Sequence, residues 1–277
     1  MGDLFQVRRT IPGPGIDQAS PWVLLDHFDF TLSPGQRGGL APHPHRGLET
    51  VTVLLEGAME HGDSLGTRAT LESGDIQWMT AGAGIVHEEN PPIALRESGG
   101  RVLGVQLWVN LPRRAKSVAP RYQDTRHDAI ATEREAGVTA RLFAGAANGL
   151  TSSLETHSPL TLVDYALDRD REVQVDLDPT WNAVLHVVEG RIEVDGQRVQ
   201  DGHAALTRPG ARTIRFRSDG PRGARVLLAA GETIDEPMVR RGPFVMNTEA
   251  EIRQAFMDYR SGRMGRVPNP TYERYRI

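Results

Sequence analysis

The chain has 277 residues, longer than the usual single core of roughly 100–200 residues, so two compact domains are expected. Its 36 acidic and 32 basic side chains leave a formal net charge of −4, which offers no long-range attraction to phosphate backbones and argues against direct nucleic-acid binding. With no cysteine there are no disulfides, thiolate nucleophiles or sulfur-ligated zinc, so nitrogen and oxygen are the donors left for any metal.

At the amino terminus, Met1 to Arg9 lacks the apolar stretch of a signal peptide, and no later window approaches about 18 uninterrupted apolar residues. A cytoplasmic protein without a membrane span is therefore expected. Short strands separated by turns are predicted at Trp22 to Leu25, Glu49 to Leu55, Ile76 to Thr80 and Arg101 to Asn110, with Gly35, Gly57, Gly66 and Gly74 as punctuation. In the last of these, Leu103, Val105, Leu107 and Val109 alternate with Gly104, Gln106 and Trp108, and the aliphatic set reads as the core face. The stretch 112–136, with Pro112, Pro120 and dense charges, reads as the interdomain connection, and Arg121 to Arg126 within it as solvated chain.

A second run of strands begins near Leu160 and continues through Trp181 to Val188, Arg191 to Val194, Ala204 to Thr207, Thr213 to Phe216 and Arg225 to Ala229. Val51 to Gly57 followed by Gly74-Asp75 is echoed by Val184 to Gly190 followed by Asp201-Gly202, the mark of a duplicated barrel. The expected fold is all-β, with domains at 1–125 and 126–277 and a short C-terminal helix in the second. That helix starts at Thr248-Glu249-Ala250-Glu251, which has capping-box form. Ile252, Ala255, Phe256 and Tyr259 give it one apolar stripe, and Gly262 stops it.

The chemistry concentrates in two short motifs. His43-Pro44-His45 places two imidazoles at i and i+2, which point to one side of an extended chain, and His87-Glu88-Glu89 does the same for an imidazole and a carboxylate. Two such pairs on adjacent strands supply three nitrogens and one carboxylate around an ion with open positions, a donor set suited to non-haem iron and its neighbours. The same parity runs on through Glu49, Val51, Val53 and Leu55, which leaves Glu49 three roles, a ligand, an acceptor that orients an imidazole or a satisfied core acid, with the second favoured. Trp78 and Met79 are expected in the core, with Gln77 beside them on the same strand, and His61 is expected at a turn.

These residues also carry a resemblance. His43-Pro44-His45-Arg46-Gly47-Leu48-Glu49-Thr50 resembles the first motif of the pirin family of cupins, and the likeness continues through Glu60 to Gly66, Gly74 to Gly82, Gly84 to His87, Gln106 to Pro112 and Gly242 to Thr248. It implies two tandem cupin, jelly-roll-like barrels with a divalent metal in the first only, most simply Fe2+, with Mn, Co, Ni, Cu and Zn as alternatives. The implied ligands are His43, His45, His87 and Glu89. In the second half the corresponding positions fall near Gln174-Val175-Asp176 and Arg215, which offer no imidazole, so His186 and His203 are assigned structural roles. Gly82-Ala83-Gly84 stands where many cupins have Pro-x-Gly, a variant that matches pirins.

The resemblance implies one of two activities. One is a quercetin 2,3-dioxygenase-like cleavage of a flavonol by O2, with Glu89 as catalytic base and the protein a monomer. The other is a metal-dependent regulatory protein that binds a protein partner without turnover.

Overall fold

The computed structural model describes residues 7–271 except 17, 37, 208 and 209. Its strands in the first half are β1 (Val7–Ile11), β2 (Trp22–Leu32), β3 (Leu40–His45), β4 (Leu48–Glu56), β5 (Ala58–Asp63), β6 (Arg68–Glu72), β7 (Ile76–Thr80), β8 (Ile85–Asn90), β9 (Gly100–Asn110) and β10 (Arg121–Thr125). A six-residue helix, α1 (Ile93–Ser98), lies between β8 and β9. The strands form a six-stranded sheet in the order β1-β2-β9-β4-β7-β10 and a four-stranded sheet in the order β3-β8-β5-β6. Central β4 is buried at every position except Glu56, which accounts for its apolar and threonine composition, interrupted only by the buried Glu49.

Residue contacts divide the chain into two compact units. The first holds Leu25–His127 with 235–271, and the second holds Asp128–Ile234 with Arg9–Leu24. The first unit runs on to His127 before the second resumes. Little of 112–136 is connection, however. Arg121 to Thr125 is not solvated chain but an edge strand, paired residue by residue with Thr80 to Ile76. Its alternating charges hide it in the sequence, because charged edge strands are how sheets avoid unwanted pairing.

The second unit contains β11 (Ala131–Glu135), β12 (Val138–Ala144), β13 (Ala146–Ala147), β14 (Leu150–Thr151), β15 (Leu160–Leu167), β16 (Glu172–Asp176), β17 (Trp181–Val194), β18 (Gln197–Gln200), β19 (Ala204–Leu206), β20 (Thr213–Ser218) and β21 (Ala224–Glu232). The main path runs β11-β12-β15-β21-β17-β20-β16. The two strands predicted at 181–188 and 191–194 are one strand, with a register shift between Val187 and Glu189. Both units fit the expected all-β, double-cupin architecture.

The chain ends with β22 (Val239–Arg241), β23 (Phe244–Met246) and α2 (Glu249–Arg260). Thr248 caps α2 by accepting from the Glu251 amide, while the Glu251 carboxylate takes the Asn247 amide at 3.0 Å, a capping arrangement shifted by one residue from the predicted box. Sequence order assigns this helix to the second domain, yet 235–271 groups with the first unit. Two interactions explain the placement. Ile252, Ala255 and Met264 bury themselves against Val86 and Phe244, and Asp258 pairs with Arg46 at 2.7 Å. The hydrogen bond from the Arg46 guanidinium does most to lower the Asp258 pKa, to about 2. No described helix is long and apolar enough to cross a membrane.

The corner between β3 and β4 is held by the only lysine of the chain. Lys116 is buried and donates to Gly47 O (2.7 Å), Asn110 Oδ1 (2.6 Å) and Val245 O (2.8 Å). Gly47 turns the chain with φ +74°, and a Cβ there would collide with Val245 O, so no other residue fits. Burial lowers the Lys116 pKa to about 7, against the opposing pull of Glu236 and Glu251. An unfolded lysine titrates near about 10.4. Between these two values the unfolded chain binds the proton more tightly, so the stability contributed by this group rises with pH across that window. Carbon-13 NMR of Lys116 Cε, a single signal in a lysine-labelled sample, is expected to titrate with a midpoint of about 7; a midpoint near about 10, that of a free lysine, would contradict the buried placement.

Candidate metal centre

β3 and β8 are antiparallel neighbours in which His43 lies directly opposite His87, and His45 opposite Ile85. Directly opposed residues project to one face, so the pairing brings all three imidazoles together. β3 is the edge of its sheet, where Pro44 costs no ladder hydrogen bond. The ring centroids are 5.1 Å apart for His43 and His45, 4.4 Å for His43 and His87, and 5.0 Å for His45 and His87. One nitrogen from each lies within 4.8 Å of the others.

The remaining ring nitrogens are arranged for metal binding. His43 Nδ1 bonds Ala41 O at 2.9 Å and His45 Nδ1 bonds Pro243 O at 3.2 Å. A carbonyl oxygen can only accept, so both Nδ1 atoms carry the hydrogen and both Nε2 lone pairs are left for an ion. His87 is wholly buried with neither ring nitrogen hydrogen-bonded, a costly state that a metal bond would relieve. Burial, and then the neighbouring imidazoles, hold the pKa values of His45 and His87 well below the usual histidine range. Both rings are thus neutral and fit to ligate at neutral pH.

Glu89 shares the face of His87 but is engaged elsewhere. Its Oε1 accepts from Gln77 Nε2 at 2.7 Å and Thr52 Oγ1 at 3.2 Å, and its Oε2 from Gln106 Nε2 at 2.9 Å. The structure therefore brings three of the four predicted ligands into one group and sets the fourth in an adjoining array of polar side chains. Thr52 and Gln106 were not singled out by sequence. Their signal is their register, since Thr52 is the Cα partner of both Gln77 and Gln106, on a face shared with Trp108. Trp108 is edge-on to His45 at 4.9 Å. The face of β9 toward the site is thus Gln106 and Trp108, not the aliphatic set.

Glu49 requires a correction. The turn through Arg46 and Gly47 separates β3 from β4, so parity does not carry across it and Glu49 points away from Thr50 and Thr52. It accepts from Thr80 Oγ1 at 2.7 Å and orients no imidazole. Burial raises its pKa to about 7 despite the Thr80 hydrogen bond.

His61 is also misplaced by sequence. It belongs to β5 rather than a turn, is 1% exposed, and its ring centroid lies 5.4 Å from that of His87. Trp78 and Met79 are buried core residues as expected.

In the second unit, β16 pairs with β20 as β3 pairs with β8, but Val173, Val175, Ile214 and Phe216 fill the inner positions, while Gln174 and Arg215 bond each other on the other face. His186 Nδ1 meets Thr10 Oγ1 at 3.4 Å, and His203 Nδ1 bonds Asp201 O at 3.0 Å. Among the described residues, no second group of three metal-type donors occurs.

Two substitutions separate these roles. His87→Ala is expected to weaken divalent-metal affinity by more than roughly 100-fold, beyond the effect of residues that only orient ligands, as read by competition with a chelator. Glu49→Gln is expected to leave metal content unchanged. The folded Glu49 pKa of about 7 lies above the unfolded value of about 4.3, so stability falls as pH rises between them and the full cost persists above. At about pH 8 the glutamine variant should therefore be more stable to urea, on the order of 2 kcal/mol. Loss of metal from it would restore the ligand-orienting role.

Comparison with known proteins places this site in a family. The chain matches the family described as Pirin over residues 4–109 and the Pirin C-terminal cupin domain over residues 162–265. It is 39% identical over 268 residues to a pirin-like protein of Solanum lycopersicum, covering 95% of this chain and 88% of that one. It is 36% identical over 265 residues to the pirin of Homo sapiens, covering 94% of this chain and 88% of that one. A crystal structure of quercetin 2,3-dioxygenase from Acinetobacter baumannii superposes with a TM-score of 0.89 at 33% identity, covering 97% of this chain and 94% of that one. With matches to both halves and near-complete coverage of these relatives, the chain belongs to the pirin family.

Proposed function

We propose that the protein is a metal-dependent dioxygenase of pirin type that opens the heterocycle of a flavonol with O2, in the manner of quercetin 2,3-dioxygenase. The observation that carries this reading is the group of three imidazoles, two of them buried, beside a carboxylate held by three donors. The 33% identity and 0.89 TM-score to the Acinetobacter baumannii enzyme support the choice of substrate class.

In this reading His43, His45 and His87 hold one divalent ion, with Fe2+ as the first expectation, and Glu89 completes the donor set. When bound, the ion supplies Lewis acidity and a template for the flavonol 3-hydroxyl. The other steps belong to the chain. Gln77 and Thr52 hold Glu89 Oε1, which leaves Oε2, with the single donor Gln106, free to take the hydroxyl proton as general base. Trp108, with the Arg240 guanidinium 4.9 Å from its ring centroid, offers a flat wall next to His45 for a planar ligand.

Aerobic incubation of metal-loaded protein with quercetin tests the reading, following loss of visible absorption and release of carbon monoxide. Glu89→Gln is expected to retain metal while losing turnover by about 100-fold or more, the usual worth of a general base. Full activity in a metal-replete Glu89→Gln variant would remove the proposed base. A flat trace for the wild type with each of several metals would overturn the enzyme in favour of a regulatory protein acting through a protein partner.

A further inference from the structure

The array around His61 is unexplained by metal ligation. In the pairing of β5 with β8, His61 lies opposite Glu89 and Asp63 opposite His87, so all four side chains share one face. His61 Nε2 lies 3.2 Å from Asp63 Oδ2. The other Asp63 oxygen, Oδ1, accepts the Leu65 amide at 2.9 Å and the Thr67 amide at 3.0 Å. Burial would raise the Asp63 pKa, but the His61 and Thr67 hydrogen bonds outweigh it and the net shift is downward, so the group is a carboxylate. A carboxylate only accepts. Nε2 therefore carries a hydrogen, and in the tautomer with one ring hydrogen Nδ1 keeps a lone pair.

That nitrogen is buried and has no hydrogen-bond partner among the described residues. The ring cannot easily turn to find one, because Asp63 fixes one edge and Tyr122 stacks on its face at 4.6 Å and 28°. His61 is also outside the group of three metal donors. A rigidly held acceptor that no donor among the described residues satisfies, its ring 5.4 Å from His87, calls for a hydrogen-bond donor from beyond them.

We infer that His61 orients the molecule occupying the open side of the metal centre, its Nδ1 accepting a hydrogen bond from a hydroxyl group or water held there. The class of ligand is thereby narrowed to one with an O–H close to the metal-binding atom. Ligands whose approaching edge carries only acceptors, such as a carboxylate, face a second lone pair and are disfavoured. No proton needs to move to His61 for this role. The inference shares the metal centre with the dioxygenase reading, and the flavonol enters only as a probe.

The test uses zinc-loaded protein, which binds without turning over, and has two readouts. Proton–nitrogen correlation NMR, with the His61 signals identified by their loss in His61→Asn, reports the tautomer directly. The expected result is hydrogen on Nε2 and an Nδ1 signal that shifts when 3-hydroxyflavone is added. Fluorescence titration of 3-hydroxyflavone then compares variants that all keep one zinc per chain. His61→Asn, which places an amide oxygen near the Nδ1 position, should bind within about threefold of wild type, whereas His61→Gln and His61→Leu should bind about tenfold more weakly, the worth of one hydrogen bond. Hydrogen on Nδ1, a zinc-bound nitrogen shift, or equal affinity of the leucine and wild-type proteins would each overturn the inference. If wild type takes zinc but not the flavonol, the flavonol reading falls and zinc-bound water is the remaining donor. His61 Nδ1 must then shift on zinc loading alone, and an unchanged signal would overturn the inference.

Discussion

The register between β3 and β8 sets His43 opposite His87 in a buried space, and the rest of the first unit is arranged around that one pairing. Three imidazoles packed this closely cannot all be charged, and burial ensures that His45 and His87 are not. Neutral buried imidazoles still need partners. Backbone carbonyls of Ala41 and Pro243 take the Nδ1 hydrogens of His43 and His45, which aligns the opposite nitrogens without adding charge. One of these carbonyls belongs to the segment just before β23, so the C-terminal part of the chain helps to orient a ligand near its beginning. Lys116 secures the same place by bonding Gly47 O and Val245 O, and Arg46 secures it again by pairing with Asp258 of α2. The placement of 235–271 with the first unit thus bears on the imidazole group, because the helix and β23 brace the strand that carries His43 and His45.

The two barrels show how little of this depends on topology. β16 and β20 repeat the pairing of β3 and β8, but valine, isoleucine and phenylalanine occupy the inward positions and close the interior as an apolar core. Exchanging the inward side chains on one pair of strands separates a group of three imidazoles from a packed barrel. The fold supplies two equivalent places, and among the described residues only the first brings three metal-type donors together.

Period-two spacing made the essential pairs legible in the sequence. His43 with His45 and His87 with Glu89 each fall on one face, and strand limits such as Ile76 to Thr80 were readable from apolar runs between glycines. Parity fails wherever the backbone turns, and Gly47, with φ +74°, breaks it between β3 and β4; Glu49 was therefore placed on the wrong side. The aliphatic face of β9 is buried core, as its alternation indicated, while Gln106 and Trp108 on its other face turn toward Glu89 and His45. His61 was hidden by the Gly62-Asp63 pair after it, which reads as a turn although the strand continues to Asp63. The polar array on Glu89 was beyond sequence because it depends on which strands lie side by side, and order along the chain does not state that.

The claim on which everything else rests is that three imidazoles and one oxygen donor hold a single ion. X-ray absorption spectroscopy of zinc-loaded protein measures this most directly, because imidazole rings give distinctive outer-shell scattering. The expected spectrum has three imidazole nitrogens at about 2.0–2.1 Å and an oxygen shell from Glu89 or solvent. Two imidazoles would leave one of His43, His45 and His87 outside the centre, and four would make His61 a ligand. Either count would contradict the arrangement described.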